Sequence, residues 1–369
     1  MQPRGSVLRH IVRRVDWIPV GDRWCRLSIM GTDLSPEALQ REPRTAPLRS
    51  SSPISGSSEE PLPPSTKKRL STISLGGARL EAPESPDNRV VILMIPGNPG
   101  NEGFYTDFGE RLLKNLMSRD ERTGTAERIY LFYTISHLNH VKLPPELEKP
   151  DSLMKCNDRF LLNEQIQHKL DFVREYLPHA GRVYLLGHSI GSYMMLRLLP
   201  YIVDDFNIKR AVGLFPTVER MAVSPNGIRL RRVLAALSAN DWLAKGLSCW
   251  LDCLPKWLVG WNLRGNEIPA CVVDSAAELL AMNVFRNIVH MSHDEMESVT
   301  EFDKSLLAHK DLVYFLYGTV DGWAPLDYGM EMVERMPSGH VIIDDKDCEH
   351  AFVMRDGKVV AEKLVPLIV

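Results

Sequence analysis

A serine between two glycines is the clearest candidate nucleophile of the sequence. The segment Gly187-His188-Ser189-Ile190-Gly191 follows an apolar run over 182–186 and precedes a mostly apolar stretch of helix-forming residues over 193–199. A nucleophilic serine on a sharp strand-to-helix turn needs small neighbours, because the backbone of that turn is crowded. A flexible loop could carry the same five letters, but the flanking pattern favours the turn and predicts that Ser189 attacks a carbonyl carbon.

A serine hydroxyl also needs a histidine base and an acid that orients it, in the chain order Ser, Asp or Glu, His. Asp321 follows a predicted strand over 312–317, and His350 lies in the loop after a predicted strand over 341–343. The carboxyl ends of parallel strands share one edge of a sheet, so these positions are expected to converge on Ser189. Other candidates remain: Asp327, Asp344, Asp345 and Asp347 as the acid, and His340, which precedes its strand, as the base.

Acyl transfer further requires N–H donors for the oxyanion that develops in the transition state. One is expected from the backbone of Ile190, directly after the serine. The second is expected from the loop Pro96-Gly97-Asn98-Pro99-Gly100. Proline has no N–H, which leaves Gly97, Asn98 and Gly100, with Asn98 favoured at the tip of the turn. A phosphate-binding loop is disfavoured, because no Gly-Lys-Ser/Thr sequence follows.

The surrounding pattern predicts an α/β fold, with strands and amphipathic helices alternating to form a doubly wound, mostly parallel sheet. A helix with an apolar stripe over 162–177 is expected to be capped by Asn157 or Asp158. We divide the chain as follows: an N-terminal β-hairpin region of the core at 1–32, a disordered Ser/Pro-rich insertion at 33–88, the first part of the core at 89–215, an inserted helical cap at 216–310 and the second part of the core at 311–369.

Composition excludes several classes of protein. The chain has 369 residues, 44% hydrophobic and 25% charged, and a formal net charge of −3, which is typical of a globular protein and gives no field that attracts nucleic acid. Its six cysteines form no paired framework, and Cys249 and Cys253 lack further ligands. We therefore expect reduced thiols, no metal and no cofactor. The longest apolar runs are too short for a transmembrane helix, and the Arg-rich first residues only weakly resemble a targeting sequence.

Four of the seven tryptophans fall in the predicted cap, where apolar residues recur with helical spacing: Trp242, Trp250, Trp257 and Trp261. Tryptophan favours boundaries between apolar and wet surroundings. Three interpretations remain open for this segment, namely packing onto the core, docking onto a lipid surface, and lining of a substrate pocket.

Several blocks of the chain together resemble the lipid droplet-associated hydrolase family, from about residue 90 to the C-terminus. The resemblance implies an α/β-hydrolase fold, a Ser189, Asp321 and His350 triad, and residence on lipid droplets and the cytosolic face of the endoplasmic reticulum. It also implies a cholesteryl ester as substrate. The blocks are Val91-Ile92-Leu93-Met94-Ile95-Pro96-Gly97-Asn98-Pro99-Gly100, Gln165-Ile166-Gln167-His168-Lys169-Leu170, Gly187-His188-Ser189-Ile190-Gly191-Ser192-Tyr193, Leu214-Phe215-Pro216-Thr217-Val218-Glu219-Arg220-Met221, Ser224-Pro225-Asn226-Gly227 and His350-Ala351-Phe352.

The leading hypothesis is therefore a serine ester hydrolase that acts on neutral lipids through an acyl-enzyme. The alternative is a lipid droplet-binding structural or regulatory protein with little turnover. Dehalogenase or epoxide hydrolase chemistry is disfavoured, because it requires a carboxylate where this chain has Ser189.

Overall fold

The computed structural model of the protein describes residues 10–32, 88–125, 128–148, 155–178, 181–239 and 268–368. The strands in these ranges are β1 Val12–Val20, β2 Arg23–Gly31, β3 Arg89–Ile95, β4 Ile129–Ile135, β5 Arg182–His188, β6 Ile208–Leu214, β7 Val313–Tyr317 and β8 Val341–Ile343. The α-helices are α1 Thr106–Thr123, α2 Leu162–Tyr176, α3 Ile190–Ile202, α4 Pro225–Ala239, α5 Ala270–Glu278, α6 Met282–Ser298, α7 Leu326–Arg335 and α8 Gly357–Leu364.

One sheet contains all eight of these strands, in the order β1-β2-β4-β3-β5-β6-β7-β8. The strands β3 to β8 run parallel, whereas β1 and β2 form a hairpin that pairs antiparallel with β4. In the parallel part, β3 is the second strand, with β4 on one side and β5 on the other, so the strand order changes direction after β4. This arrangement confirms the predicted α/β class and the mostly parallel, doubly wound sheet.

The core lies on both faces of the sheet, which explains the continuous apolar run of β3. Val91, Leu93 and Ile95 point into one apolar cluster. The residues between them, Val90, Ile92 and Met94, point into the other. Side chains of a strand alternate between faces, so a strand covered by helices on both sides is apolar at every position. Helices α2 and α3 cover the first face, and α1 and α8 cover the second.

The predicted cap of helix α2 is wrong. The helix begins at Leu162, and its N-cap is Leu161, whose backbone N–H donates to the Glu164 carboxylate at 2.9 Å. Asp158 lies further upstream, where its carboxylate accepts from the backbone N–H of Lys155 at 2.7 Å. The Glu164 side chain, in the first turn of α2, therefore accepts from the backbone N–H of the N-cap residue. Asp158 takes part in a separate turn that precedes the helix.

Helices α4, α5 and α6 occupy the described part of the segment between β6 and β7 that we predicted as a cap. The four tryptophans of that segment lie outside the described residues, as does the predicted insertion except for Asn88. None of the helices in the described ranges combines the length and apolar character needed to cross a membrane.

Candidate active site

The backbone at Ser189 forms a strained turn between β5 and α3. Its φ of 53° and ψ of −125° place a non-glycine residue at positive φ, which costs free energy and is found mostly where function requires it. The flanking glycines make this turn possible. A Cβ at Gly187 would lie 2.5 Å from the carbonyl oxygen of Gly191, and one at Gly191 would collide with the carbonyl oxygens of Ile95 and Pro96 at the end of β3.

The structure brings Ser189, Asp321 and His350 together. His350 Nε2 lies 2.9 Å from Ser189 Oγ, and His350 Nδ1 lies 2.7 Å from Asp321 Oδ2. A carboxylate oxygen only accepts, so Nδ1 carries a proton, and in the neutral ring the Nε2 lone pair then faces the serine hydroxyl. This is the protonation state that a general base for Ser189 requires.

Asp321 is buried, and its environment favours the ionised form. Burial alone raises the pKa of a carboxyl group, but the charge and hydrogen bond of His350 and the backbone N–H groups of Trp323 and Ala324 lower the pKa of Asp321 below its ordinary value. Those two N–H groups donate to Asp321 Oδ1 at 2.7 and 3.1 Å. The carboxylate is thus held by three donors and presents one oxygen to the histidine.

The alternative acids and base have other partners. Asp344 accepts from the backbone N–H of Cys348 at 2.7 Å, and Asp347 accepts from the Thr319 hydroxyl at 2.7 Å. His340 Nδ1 lies 2.9 Å from the carbonyl oxygen of Val313, at the beginning of β7 and therefore at the opposite edge of the sheet. The remaining aspartates are also placed elsewhere: Asp327 in the first turn of α7, and Asp345 in an ion pair with Lys363.

The backbone N–H groups near Ser189 narrow the choice of oxyanion donors. Gly97 donates to the Tyr105 hydroxyl at 2.9 Å, and Gly100 donates to the carbonyl oxygen of Gly97 at 2.6 Å. Among the described residues, no acceptor is bound to the N–H of Asn98 or to that of Ile190, the first residue of α3. Those are the two donors expected from the sequence.

The side chain of Asn98 connects the loop at 96–100, which we call the oxyanion loop, to helix α6. Its Nδ2 lies 2.8 Å from Ser292 Oγ, 3.1 Å from Glu295 Oε1 and 3.2 Å from the carbonyl oxygen of Ile288, so its two N–H groups are shared among three acceptors. Glu295 is buried, and burial raises the pKa of its carboxyl group well above the ordinary value. The sequence analysis did not predict this contact, because nothing in the sequence relates Asn98 to a helix almost two hundred residues later.

Two further buried residues contact the site. His188 Nδ1 lies 2.8 Å from the Tyr105 hydroxyl, and His188 Nε2 lies 2.8 Å from the backbone carbonyl of His350. His188 precedes the serine in the motif, and this position was the only feature of the sequence that could have identified it as a residue of the site. Tyr105 is in a short turn before α1 and carries no pattern that would have identified it.

The thiols and potential metal ligands of the described ranges form no second centre. Cys25, Cys156, Cys271 and Cys348 are free cysteines. Within the same ranges, no group of three or more His, Cys, Asp or Glu side chains is arranged to hold a metal ion.

Two solved structures whose names describe them as hydrolases have a fold similar to that of this chain. A 2-hydroxy-6-oxo-6-phenylhexa-2,4-dienoate hydrolase from a Rhodococcus strain superposes with a TM-score of 0.54 at 13% identity, over 97% of this chain and 99% of that one. A peroxisomal α/β-hydrolase of Saccharomyces cerevisiae gives a TM-score of 0.50 at 11% identity, over 97% of this chain and 88% of that one. Identities this low show a shared architecture only, and that architecture is the α/β-hydrolase fold.

Sequence comparison is more specific. The Drosophila melanogaster lipid droplet-associated hydrolase is 31% identical over 285 residues, covering 75% of this chain and 88% of that protein. The Gallus gallus protein of the same name is 30% identical, covering 74% of this chain and 82% of that protein. The family model described as lipid-droplet associated hydrolase matches residues 88–353, which include the whole candidate site. The chain therefore belongs to the lipid droplet-associated hydrolase family.

Proposed function

We propose that the protein is a serine hydrolase that cleaves carboxylic esters of neutral lipids. The observation that carries the proposal is the hydrogen-bonded line Ser189–His350–Asp321, with successive distances of 2.9 and 2.7 Å. Hydrogen bonds of this length join a nucleophile to its base and the base to its orienting acid before any substrate is bound.

The reaction follows from the positions of the atoms. Ser189 Oγ forms a bond to the ester carbonyl carbon as its proton passes to His350 Nε2, and the oxyanion accepts from the N–H groups of Asn98 and Ile190. The intermediate collapses by breaking the bond to the alcohol oxygen, which takes the proton from His350. Water, deprotonated by His350, then attacks the acyl-enzyme and releases the fatty acid and Ser189. Asp321 keeps the imidazole oriented and stabilises its charged form.

The proposed substrate class rests on the names of the relatives of this chain. Its relatives carry the words lipid droplet in their names, and lipid droplets store neutral esters, so triacylglycerols and cholesteryl esters are the proposed substrates. Helix α6, which belongs to the predicted helical insertion, contacts the oxyanion loop through Asn98. A long acyl chain bound to Ser189 would therefore meet this insertion.

The proposal is tested by labelling and turnover of the full-length chain. We expect a fluorophosphonate to modify Ser189, located by peptide mass spectrometry, and we expect release of fatty acid from an emulsion panel of triacylglycerol, cholesteryl oleate and a short-chain ester. The Ser189→Ala variant, present at equal concentration, should show neither. Absence of labelling at Ser189 in the folded wild-type chain contradicts the proposal, and release from the short-chain ester alone contradicts its assignment to neutral lipids.

We further propose that the protein works at the lipid droplet surface and at the cytosolic face of the endoplasmic reticulum, held by peripheral docking of the insertion. Helix α4 supports this proposal. Ile228 and Val233 are 41% and 54% exposed on it, and the arginines beside them are exposed as well: Arg229, Arg231 and Arg232. Exposed apolar groups with basic neighbours are typical of a helix that lies in a lipid interface. In the sequence, α4 leads directly to Trp242, Trp250, Trp257 and Trp261.

Replacing Trp250 and Trp257 by serine is expected to weaken flotation with artificial droplets by at least about tenfold, since each large apolar side chain withdrawn from the interface removes about 2 kcal/mol of burial free energy. The matched control replaces Val12 and Val15, which are exposed on the edge strand β1, and should float like the wild type. Equal flotation of the tryptophan variant and the control would contradict docking through this segment.

The alternative function, a droplet-binding structural or regulatory protein, predicts a different result in cells. In that case Ser189→Ala would leave the cellular content of neutral lipid unchanged, and the tryptophan variant would change it. The hydrolase proposal predicts that both variants change it in the same direction.

A further inference from the structure

His188 occupies a buried position at the meeting point of three loops. It ends β5 immediately before Ser189 and is 6% exposed. Its ring packs against Phe352 at 5.0 Å between centroids and lies 5.3 Å from the ring of His350. The ester hydrolysis described above requires no histidine at position 188. A buried imidazole whose two nitrogens both form hydrogen bonds is therefore expected to have a structural or functional role.

The hydrogen bonds around His188 have only one consistent direction. The backbone carbonyl of His350 can only accept, so His188 Nε2 must donate across the 2.8 Å contact. Burial, together with the nearby charge of His350, lowers the pKa of His188 to about 3, so the ring is neutral and has a single proton. Nδ1 therefore accepts from the Tyr105 hydroxyl, and the Tyr105 oxygen accepts from Gly97 N–H.

The result is a chain of hydrogen bonds in which each partner donates to the next, from Gly97 through Tyr105 and His188 to the His350 carbonyl. It joins the oxyanion loop to the turn that carries the nucleophile and to the loop that carries the base. It also occupies the N–H of Gly97, whereas the N–H of Asn98 has no acceptor among the described residues. Glycine is required at position 97 by the same packing, because a Cβ there would lie 2.9 Å from the Cβ of Ser189 and 3.1 Å from His188 Nδ1.

We propose that His188 is a positioning residue that holds the His350 backbone and the oxyanion loop in register with Ser189, acting through Tyr105 on one side and the His350 carbonyl on the other. The inference rests on the proposed serine hydrolase function. Neutrality is part of the role, because His350 becomes positively charged during acyl transfer and a second charge 5.3 Å away would oppose that step.

The kinetic test uses two variants that each remove one inner member of the hydrogen-bonded chain, His188→Phe and Tyr105→Phe, assayed with a water-soluble short-chain ester. We expect kcat to fall about 10- to 100-fold in each, the effect of a small misplacement of reacting groups, with little change in KM. His188→Gln should recover most of the loss, since its amide nitrogen can reach the His350 carbonyl. Wild-type kcat in both phenylalanine variants would overturn the proposal.

Matched controls separate positioning from loss of packing. Tyr317 is fully buried, and in the described part of the chain its hydroxyl has no partner, so Tyr317→Phe removes an equivalent group without breaking a hydrogen bond. His340→Phe changes a histidine at the other edge of the sheet. Both controls should retain wild-type kcat, and thermal unfolding of every variant should stay cooperative. A fall in kcat as large in these controls as in the test variants would assign the effect to general packing and overturn the proposal.

A second readout does not depend on turnover. Nitrogen-15 NMR of histidine-labelled protein, with His188→Gln used to assign the signal, should show His188 as the neutral Nε2–H form from about pH 8 down to about pH 5, as its lowered pKa requires. A His188 signal that titrates near the ordinary value, or that shows the Nδ1–H form, would overturn the proposal even in an active enzyme. If Ser189 were not labelled by a fluorophosphonate while His188 showed the expected form, the proposed function would fail and the hydrogen-bonded chain would stand.

Discussion

Replacing Ser189 by alanine is expected to lower kcat for ester hydrolysis by about 10⁴- to 10⁶-fold, the loss seen when a serine nucleophile is removed from a triad. The physical reason is that the variant has no oxygen to form the acyl-enzyme, so water must attack the bound ester directly. The fold should survive, because alanine lacks only the hydroxyl that His350 binds at 2.9 Å. Initial rates with a chromogenic ester, at saturating concentration, measure the effect.

A double variant shows whether Ser189 and His350 act as one unit. Groups that cooperate in one step are strongly non-additive, so Ser189→Ala combined with His350→Gln should be no slower than Ser189→Ala alone, within about threefold. If the losses in kcat of the two single variants multiplied in the double variant, His350 would have a role independent of Ser189. A residual activity above about one tenth of the wild type in the alanine variant would show that another nucleophile carries the reaction.

The sheet could be predicted from the sequence because its central strands are buried on both faces. A strand covered on both faces must be apolar at every position, and β3 and β5 show this directly as uninterrupted apolar runs. The parallel order then follows from the helices between them. The start of α2 could not be predicted in the same way, since Asp158 and Glu164 both fit a helix entrance and only the fold decides which one is used.

Some features of the candidate site could be predicted from the sequence, and others could not. Asp321 and His350 were predictable because parallel strands end at one edge, so a residue just after β7 and one in the loop after β8 must lie near Ser189. The contacts of Tyr105 and of the Asn98 side chain could not be predicted, because each depends on packing between segments that are distant in the chain. Side-chain hydrogen bonds of this kind leave no periodic or positional trace in a single sequence.

The hydrogen bonds of Asp321 determine what an isosteric change must do. In Asp321→Asn the two backbone N–H groups that point at Oδ1 require an oxygen there, so the amide nitrogen must turn toward His350. An amide nitrogen donates only, so His350 Nδ1 must accept, and the ring's proton moves to Nε2. The lone pair that should take the proton of Ser189 is then lost, and we expect kcat near pH 7 to fall by about 10⁴-fold with a much smaller change in KM.

Asp347→Asn is the matched control for this change. Asp347 lies two residues from the Asp345–Lys363 ion pair, in the loop that leads to His350, and has a positive φ of 53°, which asparagine tolerates well. Within the part of the chain that the structure describes, the side chain of Asp347 bonds only to the Thr319 hydroxyl, which can also donate to an amide oxygen. This variant should keep kcat within about twofold of the wild type, since exposed surface changes have small effects. If Asp321→Asn kept more than about one tenth of the wild-type kcat, the carboxylate would not be what fixes the proton on His350 Nδ1, and the base would have to be oriented by its backbone contact with His188 instead.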